Sequence, residues 1–137
     1  MEDVSNGVEK TASWSNRIGA VTLFVEDLGV AKRFYQEVFG RPLRFEDDES
    51  AAFDFGNTIV NLLQVSAAPE LIDPAVVASR DAGSRFQLTV EVDDVDAVCA
   101  ELNARGVQLL NGPLDRPWGV RTASFVDPGG HIWEIAK

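Results

Sequence analysis

Residues 20–28 read AVTLFVEDL, and residues 87–95 read QLTVEVDDV. Each stretch begins with six residues in which every second position is Val or Leu, a pattern typical of a half-buried strand. Each then continues through a Val-x-Asp-Leu or Val-x-Asp-Val tetrapeptide. Because the same pattern occurs twice, we interpret the chain as two similar halves, each opening with one of these strands.

An amphipathic helix is predicted after each of these strands. Asp27 and Asp94 are the expected N-caps, because a carboxylate accepts the free backbone N–H groups of a first helical turn. Apolar residues then recur at helical spacing as far as Gly40 and Gly106. Glycine is common just beyond a helix end, so these two residues should end the helices.

The first strands carry one apolar face and one mixed face. We expect the helices to cover the apolar faces, because buried apolar side chains need a packing partner. The mixed faces are then left uncovered by helices, and we expect them to line a cleft. They carry Ala20, Thr22 and Phe24 in the first copy, and Gln87, Thr89 and Glu91 in the second.

The two halves also end alike. Residues 54–62 read DFGNTIVNL and residues 127–135 read DPGGHIWEI, and each is a turn that leads into a last strand. The remaining predicted strands are residues 43–45, 51–55, 108–110 and 120–126. The predicted fold class is α+β, with two βαβββ modules forming a curved mixed-sheet cup around a ligand cleft.

The predicted domain organisation follows from these modules. Residues 17–137 form a single domain, with modules at residues 17–65 and 84–137. Residues 66–83 are the linker, which contains Pro69, Pro74 and Gly83 and a short helix expected at residues 74–79. Residues 1–16 are expected to be a flexible acidic tail.

Composition restricts the partners. The chain of 137 residues has 22 acidic and 12 basic side chains and a net charge of −10. Such a surface repels phosphate and anionic lipid, so nucleic acid and membrane are not expected partners, whereas cationic ligands are attracted. The alternative is a solvated acidic surface without a binding role. Cys99 is the single cysteine, which excludes an intrachain disulfide framework and favours a cytoplasmic location.

Four segments carry a resemblance to a known family: residues 18–40, 92–95, 117–121 (PWGVR) and 127–134 (DPGGHIWE). Together they resemble the vicinal-oxygen-chelate superfamily, the glyoxalase/bleomycin-resistance protein/dioxygenase family, across residues 17–137. The resemblance implies paired βαβββ modules, frequent homodimers and a cleft that often holds a divalent metal. Its members include glyoxalases, extradiol dioxygenases, epimerases, fosfomycin-modifying enzymes and metal-free antibiotic-sequestering proteins. We therefore expect a homodimer.

The resemblance places the metal-ligand positions of such proteins at Ala20, Asn61, Gln87 and Glu134. Only Glu134 is a carboxylate, two of the others offer neutral amide oxygens, and alanine offers none. A divalent transition metal normally takes three or four histidine or carboxylate ligands. We expect no metal and no other cofactor, which disfavours dioxygenase and ordinary glyoxalase I chemistry. His131, the single histidine, is expected to have a structural role.

Glu134 is the candidate catalytic residue, as a general base. It can equally bind a ligand amine or pair with Arg121. Trp118 and Arg121 are candidate ligand contacts, because an indole offers a flat apolar surface and a guanidinium clamps carboxylates or stacks on rings. The other candidate ligand-binding residues are Gln87, Asn61, Phe24, Phe53 and Phe55, each phenylalanine having the core as its alternative.

The predicted function is metal-independent binding of a small molecule, with sequestration of an antibiotic or another planar or cationic metabolite as the expected form. The alternative is a glyoxalase-like lyase or isomerase that uses Glu134 as general base or as ligand of a weakly bound divalent metal. Whether the protein is an enzyme stays open, since one fold hosts many reactions. It also stays open whether the modules pair within one chain or exchange between subunits.

Overall fold

The computed structural model describes residues 14–137, so most of the expected acidic tail lies outside the described residues. The first half consists of β1 (Ala20–Val25), α1 (Leu28–Phe34), β2 (Leu43–Glu46), β3 (Ser50–Asp54) and β4 (Ile59–Gln64). A short helix, α2 (Pro69–Ile72), follows. The second half consists of β5 (Gln87–Glu91), α3 (Val95–Ala104), β6 (Leu109–Asp115), β7 (Arg121–Val126) and β8 (Ile132–Ala136). Between residues 14 and 137, no helix is long and apolar enough to cross a bilayer.

Each half forms a four-stranded mixed sheet. The strand orders are β1-β4-β3-β2 and β5-β8-β7-β6. β1 runs parallel to β4, and β5 runs parallel to β8, while the other neighbours are antiparallel. A parallel pair needs a long crossover connection, and here the crossover includes a helix and two further strands. The α+β class and the two βαβββ modules are thereby confirmed.

The two predicted N-caps are confirmed. Asp27 Oδ1 accepts the N–H of Val30 at 3.1 Å, and Asp94 Oδ1 accepts the N–H of Ala97 at 3.0 Å. The first-turn amides of a helix have no carbonyl partner within the helix, so each carboxylate satisfies a donor that would otherwise be left to water.

The first helix differs from a continuous α-helix. After Phe34 the chain forms a π-helix, Tyr35–Phe39, and the N–H of Gly40 donates to the carbonyl of Tyr35 at 3.2 Å. This i→i+5 bond defines the wider turn. Gly40 then ends the helix with φ +62°, a left-handed backbone that favours glycine.

The helix-covered faces of the two sheets pack against each other. The Tyr35 ring centroid lies 5.8 Å from that of Phe53 on β3, and the Phe39 ring centroid lies 5.9 Å from that of Phe125 on β7. If the two sheets were instead joined edge to edge through β1 and β5, they would form one continuous sheet. In that sheet β3 and β7 would lie about 24 Å apart, because neighbouring strands are about 4.8 Å apart. The covered faces therefore face each other across the rings of the first helix, and the mixed faces of one chain point away from each other.

The linker differs from its prediction. The short helix predicted for residues 74–79 is wrong, because α2 spans Pro69–Ile72 and a 3₁₀ turn follows only at Arg80–Ala82. Pro69 suits a first helical turn, where its missing N–H is not needed. Asp73 is extended, with ψ 139°, as steric contact with the following Pro74 favours. The helix therefore ends before the segment in which it was expected.

Candidate functional site

The mixed face of the second sheet is acidic. Gln87, Thr89 and Glu91 are exposed on β5, and Glu134 is half-buried on the neighbouring strand β8. Thr89 lies beside Glu134 in the register, and its Oγ1 donates to Glu134 Oε1 at 2.9 Å. This bond fixes one carboxylate oxygen and leaves the other for a ligand. Thr89 was not among the predicted site residues, because the family's metal-ligand positions in this sheet fall on Gln87 and Glu134.

Arg116 links Trp118 to this acidic face, because its side chain contacts both. Arg116 donates from Nε to Thr122 Oγ1 at 2.9 Å, and its guanidinium carbon lies 5.9 Å from the centroid of the Trp118 ring. Thr122 shares a side of β7 with Ser124, which pairs with Glu134. The indole is 70 % exposed, so it is accessible to a ligand. Sequence reasoning missed Arg116, although it immediately precedes the PWGVR segment.

The mixed face of the first sheet carries aromatic side chains on its two edge strands, β1 and β2. Asn61 lies between Thr22 of β1 and Ala52 of β3 in the register. Phe24 is half-buried on the same side. Phe45 pairs with Ala52 and is 56 % exposed, so it adds a second ring to this face. Sequence reasoning missed Phe45, since the predicted strand at residues 43–45 was too short to show which way it points.

Two predicted aromatic contacts lie on the covered side instead. Phe53 is completely buried and packs against Tyr35. Phe55 stacks on Trp133, with ring centroids 5.6 Å apart and planes at 18°. Both rings belong to the packing between the two sheets, because their positions alternate with those that face outward. The aromatic wall of the first mixed face is therefore Phe24 with Phe45.

Arg121 also lies away from Glu134. It stands on the covered side of β7, where its Nη2 is 2.9 Å from Asp96 Oδ1 and its Nη1 is 3.0 Å from Asp115 Oδ1. Hydrogen bonds to Asp96 and then Asp115 raise the pKa of Arg121 above its ordinary value. The structure therefore brings Arg121 to two other carboxylates and not to Glu134.

The residues at the family's metal-ligand positions do not fit a divalent metal. Ala20 and Asn61 belong to the first mixed face, whereas Gln87 and Glu134 belong to the second, and these faces diverge within one chain. Glu134 is the only ionic donor of the four. Within residues 14–137, no group of three or more His, Cys, Asp or Glu side chains is close enough to hold a metal ion. We assign no chemical step to a metal at these residues.

One buried polar cluster joins the two halves. The Tyr35 hydroxyl donates to Asp127 Oδ2 at 2.6 Å and accepts the Trp133 Nε1–H at 3.0 Å. Asp127 Oδ1 accepts the backbone N–H groups of Gly129 and His131, both at 2.9 Å, and lies 3.0 Å from His131 Nδ1. Burial, followed by the charge of Asp127, raises the pKa of Tyr35 above its ordinary value. Trp133 thus lies beneath the first helix, where its ring also contacts that of Tyr35.

The sequence pattern that defines the Glyoxalase/Bleomycin resistance protein/Dioxygenase superfamily matches residues 17–135. The chain belongs to this superfamily. This superfamily member is similar to the uncharacterized protein YraH of Bacillus subtilis (strain 168), with 33% identity over 121 residues, 85% of this chain and 94% of that protein.

Crystal structures of other superfamily proteins have the same fold. A glyoxalase/bleomycin resistance protein/dioxygenase from Nocardioides superposes with a TM-score of 0.82 at 25% identity, covering 98% of this chain and 91% of that one. A glyoxalase-related enzyme from Fulvimarina pelagi gives 0.77 at 31% identity, covering 88% and 87%. The resemblance recognised in the sequence is confirmed at the level of family and fold, a level that does not select one reaction.

Proposed function

We propose that this superfamily member binds a planar cationic small molecule, without a metal, in a cleft formed between two copies of the chain. The divergence of the two mixed faces carries the proposal. One face is aromatic, with Phe24 and Phe45, and the other is acidic, with Glu91 and Glu134. In a homodimer, the aromatic face of one chain can stand opposite the acidic face of the other, which gives the ligand two complementary walls.

Glu134 is the anchor of the proposed site. Its carboxylate is half-buried and oriented by Thr89, so it can accept a charge-assisted hydrogen bond from a ligand nitrogen, an interaction worth about 1.5–3 kcal/mol. Trp118 and Phe24 offer flat surfaces for a ring or for a cation–π contact. The net charge of −10 favours the approach of cations over anions.

The biological form that we propose is sequestration, with a planar cationic antibiotic as one ligand of the right chemistry. Sequestration requires tight binding and no turnover, which agrees with a site built from one oriented carboxylate and aromatic surfaces. We expect a cytoplasmic location, since Cys99 is a buried free thiol, as is usual in a reducing compartment.

The test combines sedimentation with a binding assay on chelator-treated protein. We expect a dimer, and we expect planar aromatic cations such as acridinium dyes to raise Tm. Glu134→Gln should weaken binding of the dye at least tenfold, which corresponds to about 1.4 kcal/mol. Glu101→Gln is the matched control, because it removes the same charge from an exposed position on α3. A monomer that binds no cation, or equal losses in both variants, would contradict the proposal.

A second candidate function is a glyoxalase-like lyase or isomerase with Glu134 as general base. The Thr89–Glu134 hydrogen bond favours it, because a base must be held in a fixed orientation to take a proton from a bound substrate. The assay is exchange of the carbon-bound proton of an α-hydroxy ketone with deuterated water, followed by NMR. Exchange that Glu134→Gln lowers about a hundredfold would favour catalysis over sequestration. Exchange that appears only after a divalent metal is added would favour the weakly metal-bound form of this candidate.

A further inference from the structure

The linker borders a half-open cavity that the proposed two-chain cleft does not account for. Its walls come from three separate parts of the chain: Phe24 and Glu26 at the end of β1, residues 77–80 and 83–86 of the linker, which in the structure continues to the start of β5, and the β7–β8 turn at residues 129–131. Its volume is about 200 Å³. A dry cavity of about 150 Å³ is known to accept benzene, so this volume suits a single substituted ring.

The cavity is positively charged although the protein is acidic. Arg80 and Arg85 both line it, and neither forms an ion pair with any residue between 14 and 137. Glu26 is the only carboxylate among the described lining residues. Two guanidinium groups therefore face one carboxylate, which leaves an excess of positive charge for an anionic ligand.

Two phenylalanines and a histidine supply flat surfaces beside these charges. Phe86 is 49 % exposed, and its ring centroid lies 6.2 Å from that of His131. Phe24, on β1, also lines the cavity and is half-buried. A guanidinium binds a carboxylate through parallel N–H donors and also stacks on planar groups, so rings next to arginines suit a planar anion.

The cavity is held in shape by contacts between the linker and the turn. Ser84 Oγ donates to the carbonyl of Gly130 at 3.2 Å. Gly130 has φ +91°, a left-handed backbone that favours glycine, and a Cβ there would lie in ordinary van der Waals contact with Arg80 Cβ, at 3.4 Å, so the linker lies directly on the turn. The linker segment that carries both arginines is thus fixed in place at its contact with the turn.

The His131 ring is fixed as well. Its Nδ1 lies 3.0 Å from Asp127 Oδ1, and the His131 side chain is only 13% exposed. Because an ionised carboxylate only accepts hydrogen bonds, Nδ1 donates to Asp127 and Nε2 is the ring nitrogen left for a ligand. A hydroxyl on the ligand, which both donates and accepts, would therefore find a hydrogen-bonding partner on this ring.

We propose that the linker cavity is a second ligand site, which binds a small aromatic carboxylate. Arg80 and Arg85 bind the carboxylate, and the ring lies against Phe24 and Phe86. The site is independent of Glu134, and of the mixed-face residues named above only Phe24 borders it. Its ligand has the opposite charge to the cation proposed for the two-chain cleft.

The test is calorimetric titration of the full-length protein with benzoate, hydroxybenzoate and the neutral benzyl alcohol. We expect the two carboxylates to bind at least tenfold more tightly than the alcohol, and hydroxybenzoate to bind at least as well as benzoate. Arg80→Gln and Arg85→Gln should each weaken benzoate binding at least threefold, and the double variant at least tenfold. Arg33→Gln is the matched control, since Arg33 is an exposed arginine on α1 that does not line the cavity.

Glu134→Gln separates this proposal from the proposed function. Benzoate binding should be unchanged in that variant, while the planar cation binds at least tenfold more weakly. Absence of benzoate binding at millimolar concentration, or equal binding of benzyl alcohol, would overturn the linker site. So would a loss of benzoate binding in Arg33→Gln as large as that in Arg80→Gln. Loss of benzoate binding in Glu134→Gln alone would assign the carboxylate to the cleft and also overturn it.

Discussion

Tyr35 shows what a single residue adds beyond its sequence pattern. Helical spacing marks it as an apolar core position, and the structure buries it completely. Its hydroxyl, however, bonds to Asp127 and Trp133, which are 92 and 98 residues further along the chain. Periodicity reports which face a residue occupies and carries no information on such distant partners, so this cluster could not be predicted.

We predict that Tyr35→Phe lowers the free energy of unfolding by about 1–3 kcal/mol, because the N–H of Trp133 loses its partner and Asp127 Oδ2 keeps only His131 Nδ1, 3.1 Å away. Urea unfolding followed by circular dichroism measures the loss. Thr58→Val is the control, since its hydroxyl bonds to the Ile18 carbonyl at an exposed position and should matter far less. Equal effects of the two substitutions would mean that the buried cluster contributes no special stability.

The raised pKa of Tyr35 predicts a loss of stability in alkaline solution. The neutral hydroxyl is favoured in the folded protein, so the full contribution is present below the ordinary tyrosine pKa of about 10. Above that pH the unfolded chain ionises while the folded chain resists, and stability should fall by up to about 1.4 kcal/mol per pH unit. Tyr35 is the only tyrosine, so tyrosinate absorbance should appear together with unfolding. Tyrosinate in a folded protein near pH 10 would contradict this assignment.

In the candidate site too, the sequence predicts which side of a strand a residue occupies but not which residues it contacts. Alternation correctly separates Glu134 from Trp133, because neighbouring strand residues point to opposite sides. It does not identify Thr89 as the partner of Glu134, nor Asp96 and Asp115 as the partners of Arg121. Those pairings depend on how strands and helices are placed beside each other.

At the scale of elements, β6 is where the sequence misleads most. Gly112 and Pro113 are typical of a turn, and the predicted strand covers only residues 108–110. The structure continues the strand to Asp115, with irregular register against β7 on either side of Asn111. Gly112 has φ +86°, and a Cβ there would lie 2.5 Å from the carbonyl oxygen of Thr122. The glycine thus serves a close approach of two strands rather than a turn.

We predict that Gly112→Ala is severely destabilising, because the methyl group would overlap the backbone of β7 and β6 would have to move. Gly119→Ala is the matched control, since Gly119 has φ +97° and a Cβ there would meet no atom within 4 Å. The control isolates backbone strain, which costs about 1–2 kcal/mol in left-handed backbone. Thermal unfolding should therefore show a clearly lower Tm for Gly112→Ala. Similar Tm values would mean that β6 relaxes freely.

At the scale of the whole molecule, the repeat predicts two modules but not how they meet. Each first strand, β1 and β5, is an edge strand of its sheet and offers an equally good edge for pairing. Edge-to-edge and face-to-face arrangements bury the same apolar faces against helices. The aromatic residues of the first helix decide between them, since their rings contact both sheets.

We predict that the two halves stay together when the linker is cut. A protease site inserted within residues 74–79, which lack regular structure, would leave one sheet in each fragment. Each fragment alone would expose large apolar side chains, such as Phe53 or Phe125, that are fully buried in the intact molecule. Gel filtration of the cut protein should give the elution volume of the uncut protein, and denaturant should separate the fragments. Two folded fragments eluting separately would contradict a shared core.

The buried cluster around Tyr35 has an evolutionary consequence. By the alignment of the two repeats, Tyr35 corresponds to Leu102, Trp133 to Val60, and Asp127 to Asp54. Leu102 and Val60 have no side-chain hydrogen-bonding group, and Asp54 bonds instead to Arg44 near the surface. In a chain built from two copies of the first half, the hydroxyl of Tyr35 would therefore face a valine in place of Trp133. The repeats have specialised, since the first half supplies the tyrosine and the second half its aspartate and tryptophan partners, and neither can now replace the other.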